Sequence, residues 1–339
     1  MTRARRPPLL KLAEIVPGQY ADTYAQLGEK RRGLTQTGKP YYQLRLRDAR
    51  RSIVVMVWHD SEWFDACQSH WSVGQFFKLR GTLLEHEKYG LQMELEAIRP
   101  VEPRDYEEGF QERDFVVASR FDPEQMFVQL VQWVGEQIRQ EPLRELVLRL
   151  LREHEAVLKL LPASDRRYYP FAGGWLEHTL NVARHSVWLT DRYTALYPEL
   201  RPPLNRDLVA AAAVLHEIGR VRELETASGQ PVRTSVAGEL FGHLILAHDM
   251  IRTAAQQVHD LPAELLDLLL HVVVAHLRLP EWGSMRLPCI PEVLILHHAD
   301  DLDAKMEMYI RCLTNDNSDG PFTERDPVLG RPLLKHRHQ

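Results

Sequence analysis

The chain has 339 residues, 44% hydrophobic and 26% charged, which is long enough for two domains with cores of their own and excludes a disordered chain. Three widely spaced cysteines, Cys67, Cys289 and Cys312, exclude a disulfide framework and a cysteine zinc site, and fit a reducing cytoplasm. The net charge of −5 excludes a protein that coats nucleic acid along its whole surface, but residues 1–105 hold 17 Lys and Arg against 13 Asp and Glu, and the remainder 25 against 34. A mildly basic module therefore precedes an acidic one. The basic start is followed by an apolar stretch broken at Lys11 and Glu14, which is not a signal peptide, and no run of 18 apolar residues predicts a membrane span.

Residues 12–100 read as short strands divided by turns, without helical periodicity. Tyr42, Leu44 and Leu46 alternate with Gln43, Arg45 and Arg47, the period of a half-buried strand. Ile53–Trp58 is β-rich, and the runs 76–84 and 91–98 flank Lys88-Tyr89-Gly90, a hairpin signal. Five strands of this spacing suit an OB-type barrel over residues 1–105. Lys30, Arg31, Arg32, Arg45, Arg47 and Arg51 would attract the phosphates of a single strand there, with Tyr41 and Trp58 as stacking faces. The alternative is a barrel used for protein contact, its arginines solvated and its aromatics in the core.

Residues 106–160 read as a linker followed by packing helices. The charged stretch 101–120 is expected to connect the domains, and Asp122-Pro123 is a helix start. Met126, Leu130, Trp133, Val134 and Ile138 recur at helical spacing, and a second helix is expected from Leu143 to about Leu161. Helices are then predicted at 176–197, 206–219, 240–258, 263–278 and 291–313, an all-α domain over 161–314 with a tail at 315–339. The whole is a multidomain α+β chain.

The apolar run Leu208–Arg220 carries the doublet His216-Glu217, a costly pair to bury without a use. His178, His243, His276 and Asp300 also lie in or beside apolar segments. Any one alone would be a hydrogen-bonded core histidine or a helix-cap carboxylate. Together they are a candidate set for divalent metal. His178 and His185 are seven apart and share a helix face, and His185 is read as core or as a support to the site. His297, Asp300 and Asp303 line one side of the last helix, where His297 and Asp303 are expected to orient Asp300 or a metal-bound water.

This order, His, then His with an acid, then His, His and Asp, resembles the HD-domain metal-dependent phosphohydrolases. Gly173-Gly174-Trp-Leu-Glu-His178, Leu215-His-Glu-Ile-Gly-Arg220, Glu281-Trp-Gly-Ser284 and Asp300-Asp-Leu-Asp-Ala-Lys-Met306 are more closely similar to the YhaM-type 3′-to-5′ exoribonuclease family, which places an OB domain before the HD domain. The similarity extends through the tail from Asp319 to Lys335. Three positions depart from the family pattern. His-Asp-Ile-Gly-Lys becomes His216-Glu217-Ile218-Gly219-Arg220, its acid longer by about 1.5 Å, and Leu277 stands where the family carries a second histidine.

The resemblance implies two divalent ions, manganese or another, among His178, His216, Glu217, His243, His276 and Asp300, with Glu217 as the bridge. It implies Arg220 and Lys305 as holders of the scissile phosphate and Gly283 and Ser284 as a substrate-side loop. The implied activity is exonuclease action on single-stranded RNA, with single-stranded DNA as a second candidate. Other readings are a phosphohydrolase of small nucleotides and a catalytically degenerate nucleic-acid-binding protein. A homo-oligomer is compatible with either enzyme.

Overall fold

Five strands, β1 (Tyr20–Leu34), β2 (Pro40–Arg47), β3 (Ser52–Trp58), β4 (Phe76–His86) and β5 (Gly90–Pro100), close into a barrel in the order β1-β2-β3-β5-β4. The computed structural model describes residues 7–35, 37–49, 51–86, 90–115, 118–226, 232–316, 318 and 320–335. Neighbouring strands are antiparallel except β3 and β5, which meet in parallel at Val54 and Gln92. Alternation decides what fills the barrel: Leu44 and Leu46 of β2, Ile53, Val55 and Val57 of β3, and Phe77 and Leu79 of β4 all point inward and are buried. Lys88 and Tyr89 of the expected hairpin turn lie outside the described residues.

Sequence periodicity leaves two parts of this unit unread. A helix, α1 (Phe64–His70), links β3 to β4 where only strands were expected, and its Cys67, with Trp71 just beyond it, joins the barrel core. The stretch expected to connect the domains instead packs onto the barrel. It forms α2 (Pro103–Glu107), whose buried Asp105 takes a forked pair of bonds from Arg99 at 2.6 and 2.7 Å, and its Phe110 and Phe115 bury with Tyr24 in a separate apolar cluster. Two aromatics five residues apart among charged neighbours give no periodic signal, yet they supply the buried area that fixes the segment.

Contacts divide the described residues into two compact units, up to Phe115 and from Ala118 onward. In the second, α3 (Pro123–Gln137), α4 (Glu141–Glu153), α5 (Glu155–Leu158), α6 (Gly174–Leu196), α7 (Arg206–Leu215), α8 (Arg220–Glu223), α9 (Val236–Ala255), α10 (Ala263–Ala275) and α11 (Pro291–Asn315) share one core. Within 106–160, residues 106–115 belong to the barrel unit, and Leu130, Val134, Leu143, Leu146 and Leu150 of the packing helices bury in the helical core beside Trp175 and Leu215. The helix expected over 143–161 is broken at His154.

At the centre stands α7, whose Leu208–Leu215 stretch is buried on every side, as a helix apolar all round must be. It ends at Leu215, short of the expected 219, and the chain turns before α8. A two-residue pair of strands, β6 (Leu224–Glu225) and β7 (Arg233–Thr234), interrupts an otherwise helical unit. The tail folds back, Thr323 and Leu333 exchanging bonds of 2.8 and 2.9 Å. Among the described residues no helix is long and apolar enough to cross a membrane.

Candidate metal centre and strand-binding face

Six side chains from five helical segments converge on one point. His178 is the fifth residue of α6, His216 and His276 are the residues just past the ends of α7 and α10, Glu217 follows His216, His243 lies in α9, and Asp300 in α11. They form two groups, His178 with His216 and Asp300, and Glu217 with His243 and His276, the ligand atoms of each lying within 4.8 Å of one another. All six residues are buried except His243, which is nearly so.

The local backbone aims these groups. His216 and His276 each donate Nδ1–H to a carbonyl three residues back, Ala213 at 2.9 Å and Val273 at 2.7 Å, so both present Nε2 to the centre. His178 donates Nδ1–H to Asp303 Oδ2 at 2.8 Å, again leaving Nε2 free. Helix α9 is kinked at Gly242, whose φ of 68° only glycine adopts cheaply, and the kink turns His243 inward. The approach of α9 needs a second glycine, because a Cβ on Gly219 would stand 2.0 Å from the His243 carbonyl oxygen.

Nine buried side-chain atoms lack a hydrogen-bond partner among the described residues, and five of them face this centre: Nε2 of His178, His216, His243 and His276, and Oδ1 of Asp300. An unpaired buried polar atom costs about 1–3 kcal/mol, so five around one point call for a cation. His178 Nε2 and Asp300 Oδ1 face each other at 3.1 Å, two lone pairs once Nδ1 carries the proton. With no cation between them, burial disfavours the imidazolium, yet Asp300 and Asp303 outweigh it and lift the His178 pKa to about 9, so a proton on Nε2 takes the place that a cation would otherwise fill. His276, by contrast, is pushed down to about 4 by burial and by His216. Burial also opposes the Asp300 carboxylate, but His178 and His216 hold it ionised well below its ordinary range. The donor set, four imidazoles and two carboxylates, fits divalent metal.

Several expected roles move. The carboxylate that faces both groups is that of Asp300, Oδ1 toward His178 and His216 and Oδ2 3.8 Å from His276. Glu217 Oε1 is 3.5 Å from His243 and accepts from Tyr168 Oη at 3.0 Å, while Oε2 is held by Arg220 Nε. Arg220 is thus drawn into pairs with Glu217 and Glu223 and offers no free fork to a phosphate. Lys305, five residues beyond Asp300 and on another side of α11, pairs with Asp301 at 2.7 Å on the surface.

In the substrate-side loop Gly283 adopts φ 99°, and buried Ser284 donates its hydroxyl to the Arg286 carbonyl at 2.7 Å, closing the loop on itself. Asp303 orients His178 rather than Asp300, and His297 donates to the His276 carbonyl at 2.8 Å. His185 is exposed, because seven residues along α6 share an angle but carry it about 10 Å away from His178. Tyr168 and Glu223 were not foreseen. Tyr168 sits in an irregular stretch without pattern, but Glu223 lies three residues after Arg220, a spacing that marks helical neighbours.

On the barrel, strand parity sorts the candidate nucleic-acid residues. Tyr41, Gln43, Arg45 and Arg47 face outward from β2, and Trp58 lies directly across from Tyr41, ring centroids 5.4 Å apart. Arg31 lies on the same face opposite Gln43; it and Arg45, at 3.4 Å, both pair with Glu29, while Arg47 donates to Gln26 at 3.1 Å. Arg32 is exposed at the end of β1. Lys30 is a correction: it has the opposite parity, facing Leu44, and its ammonium caps α1 by donating to the carbonyls of Cys67, Gln68 and Trp71, the last at 3.0 Å. Arg51 likewise donates to the Leu12 and Ile15 carbonyls.

A five-stranded OB-type barrel and a helical unit built round paired His and carboxylate groups define a metal-dependent hydrolase of the HD class. The HD domain model matches residues 175–305. The chain is 30% identical over 313 residues to the 3′-5′ exoribonuclease YhaM of Bacillus subtilis (strain 168), a match covering 91% of this chain and 92% of that protein. The chain belongs to the YhaM-type exoribonuclease family. Among solved structures, a replication protein A domain from Methanococcus maripaludis is 18% identical, covering 28% of this chain and 96% of its own, with a TM-score of 0.23. RecG bound to a three-way DNA junction is 10% identical, covering 57% and 26%, with a TM-score of 0.26.

Proposed function

We infer that the protein is a 3′-to-5′ exonuclease of single-stranded RNA, acting also on single-stranded DNA, that hydrolyses phosphodiester bonds with two divalent ions, manganese foremost. The observation that carries this reading is the pairing of six buried ligands into two adjacent groups with five unpartnered atoms between them. His178, His216 and Asp300 would hold one ion, and Glu217, His243 and His276 the other. Such ions lower the pKa of a bound water and polarise a phosphoryl oxygen, so no protein nucleophile is required. The chain's own part is to keep the ligands aimed: Asp303 fixes the His178 tautomer, and carbonyls 213 and 273 fix those of His216 and His276. Substrate and direction rest on the likeness to the Bacillus subtilis enzyme.

The strand is held by the outward face of the barrel, where Tyr41 and Trp58 offer π-surfaces beside Arg31, Arg45 and Arg47. The three free cysteines support residence in the reducing cytoplasm. The decisive experiment incubates the full chain and Mn²⁺ with 5′-labelled single-stranded RNA. A ladder shortening from the 3′ end is expected. Intact RNA alongside turnover of a small-nucleotide panel would replace this reading with a nucleotide phosphohydrolase.

The parity of β1 gives a paired prediction. Trp58→Ala should weaken RNA binding by about 1–3 kcal/mol, the stacking of one base, in fluorescence anisotropy with EDTA present. Lys30→Ala should leave that affinity unchanged and instead lower stability by about 1–3 kcal/mol in urea, because it strands the carbonyls that end α1. Reversal of the two effects would mean that the strand runs elsewhere.

A further inference from the structure

Arg220 does not reach out for phosphate but turns inward to two carboxylates. Its guanidinium is almost wholly buried and makes two separate attachments, Nε and Nη2 to the Glu217 carboxylate and Nη1 to Glu223. Glu223 in turn accepts the backbone N–H of His243 at 3.0 Å and lies 3.6 Å from its Nδ1. Nη2 also reaches Tyr168 Oη at 3.3 Å, and that hydroxyl donates to Glu217. One side chain therefore ties together Glu217 and, through Glu223, His243.

These are two of the three residues of the second ligand group. The first group owes nothing to Arg220: His178 is set by Asp303, His216 by the Ala213 carbonyl, and Asp300 by its place on α11. A lysine at position 220 has a single ammonium in place of the planar fork and could not serve both carboxylates in the same geometry. The acid at 217 lies within reach of the fork, so the departures at 217 and 220 act as one device.

We propose that Arg220 is a positioning residue that builds the second metal subsite, formed by Glu217, His243 and His276, and leaves the first independent. The proposal rests on the metal-centre reading above and deepens it. Partners of this kind, one step behind the ligands, change metal affinity about 10–100-fold when removed.

The test is calorimetric titration of the full-length metal-free protein with Mn²⁺, with metal content by mass spectrometry. Wild type should take up two equivalents. Arg220→Gln should keep the first at wild-type affinity and weaken the second at least about tenfold. Glu223→Gln, which keeps the fork on Glu217, should weaken the same equivalent by less, and Arg220→Lys should fall between Gln and wild type. Equal weakening of both equivalents, or none of either, would overturn the proposal. So would an unchanged titration with a raised KM for RNA, since that places Arg220 on the substrate. Two equivalents bound by a wild-type protein that leaves RNA intact would sink the nuclease reading while this proposal stands.

Discussion

His216→Ala should lose RNA hydrolysis by at least about a thousandfold, equivalent to about 4 kcal/mol of barrier. The reason lies in what His216 does locally. Its Nδ1 is spent on the Ala213 carbonyl, so Nε2 is its whole contribution to the centre, and alanine removes a ligand that no neighbour replaces. His216 is fully buried with Nε2 3.8 Å from Asp300 Oδ1, so its loss removes one donor atom from beside that carboxylate. Uptake of the first metal equivalent should fall with the rate. His185→Ala, on the same helix as His178 but exposed, serves as the control and should change neither quantity. Wild-type turnover in His216→Ala would remove the proposed site.

The second large effect is on stability. Trp175 is fully buried in the helical core, and its indole N–H donates to the Glu217 carbonyl at 3.0 Å. Trp175→Ala opens a cavity costing about 3–5 kcal/mol. It also removes one of the two donors to that carbonyl, the Arg220 N–H at 3.1 Å remaining, for a further cost of about 0.5–1.5 kcal/mol. Urea unfolding should show the sum as a lower midpoint at similar slope. Trp175→Phe separates the two contributions, since it keeps much of the volume and loses only the donor. A midpoint within about 1 kcal/mol of wild type for alanine would mean that the core closes over the gap.

Periodic signals carried most of the fold and of the ligand set. Apolar residues recurring at helical spacing located the helices that bear the site, and alternation in β2 and β3 located the inward faces of the barrel. The six converging side chains were legible as a set because histidines and carboxylates in apolar helices have few other uses. Supporting residues were harder. Glu223, Tyr168 and the Phe110–Phe115 cluster act through contacts that only the tertiary arrangement creates, and a charged or irregular stretch gives no period to read. Lys30 failed for a different reason: a basic residue in a run of basic residues looks solvated until strand parity is known, and β1 carries an irregularity between Leu27 and Glu29 that resets the parity.

The ends of α7 and α10 meet at the same spot, each with a histidine as its first residue past the last turn. Both helices therefore direct their partially negative termini, about half an elementary charge each, at a pocket that already holds two ionised carboxylates. A nucleic-acid phosphate arriving there first would be repelled. On the two-ion reading proposed above, assembly would be ordered: the cations would settle before an anionic backbone could enter.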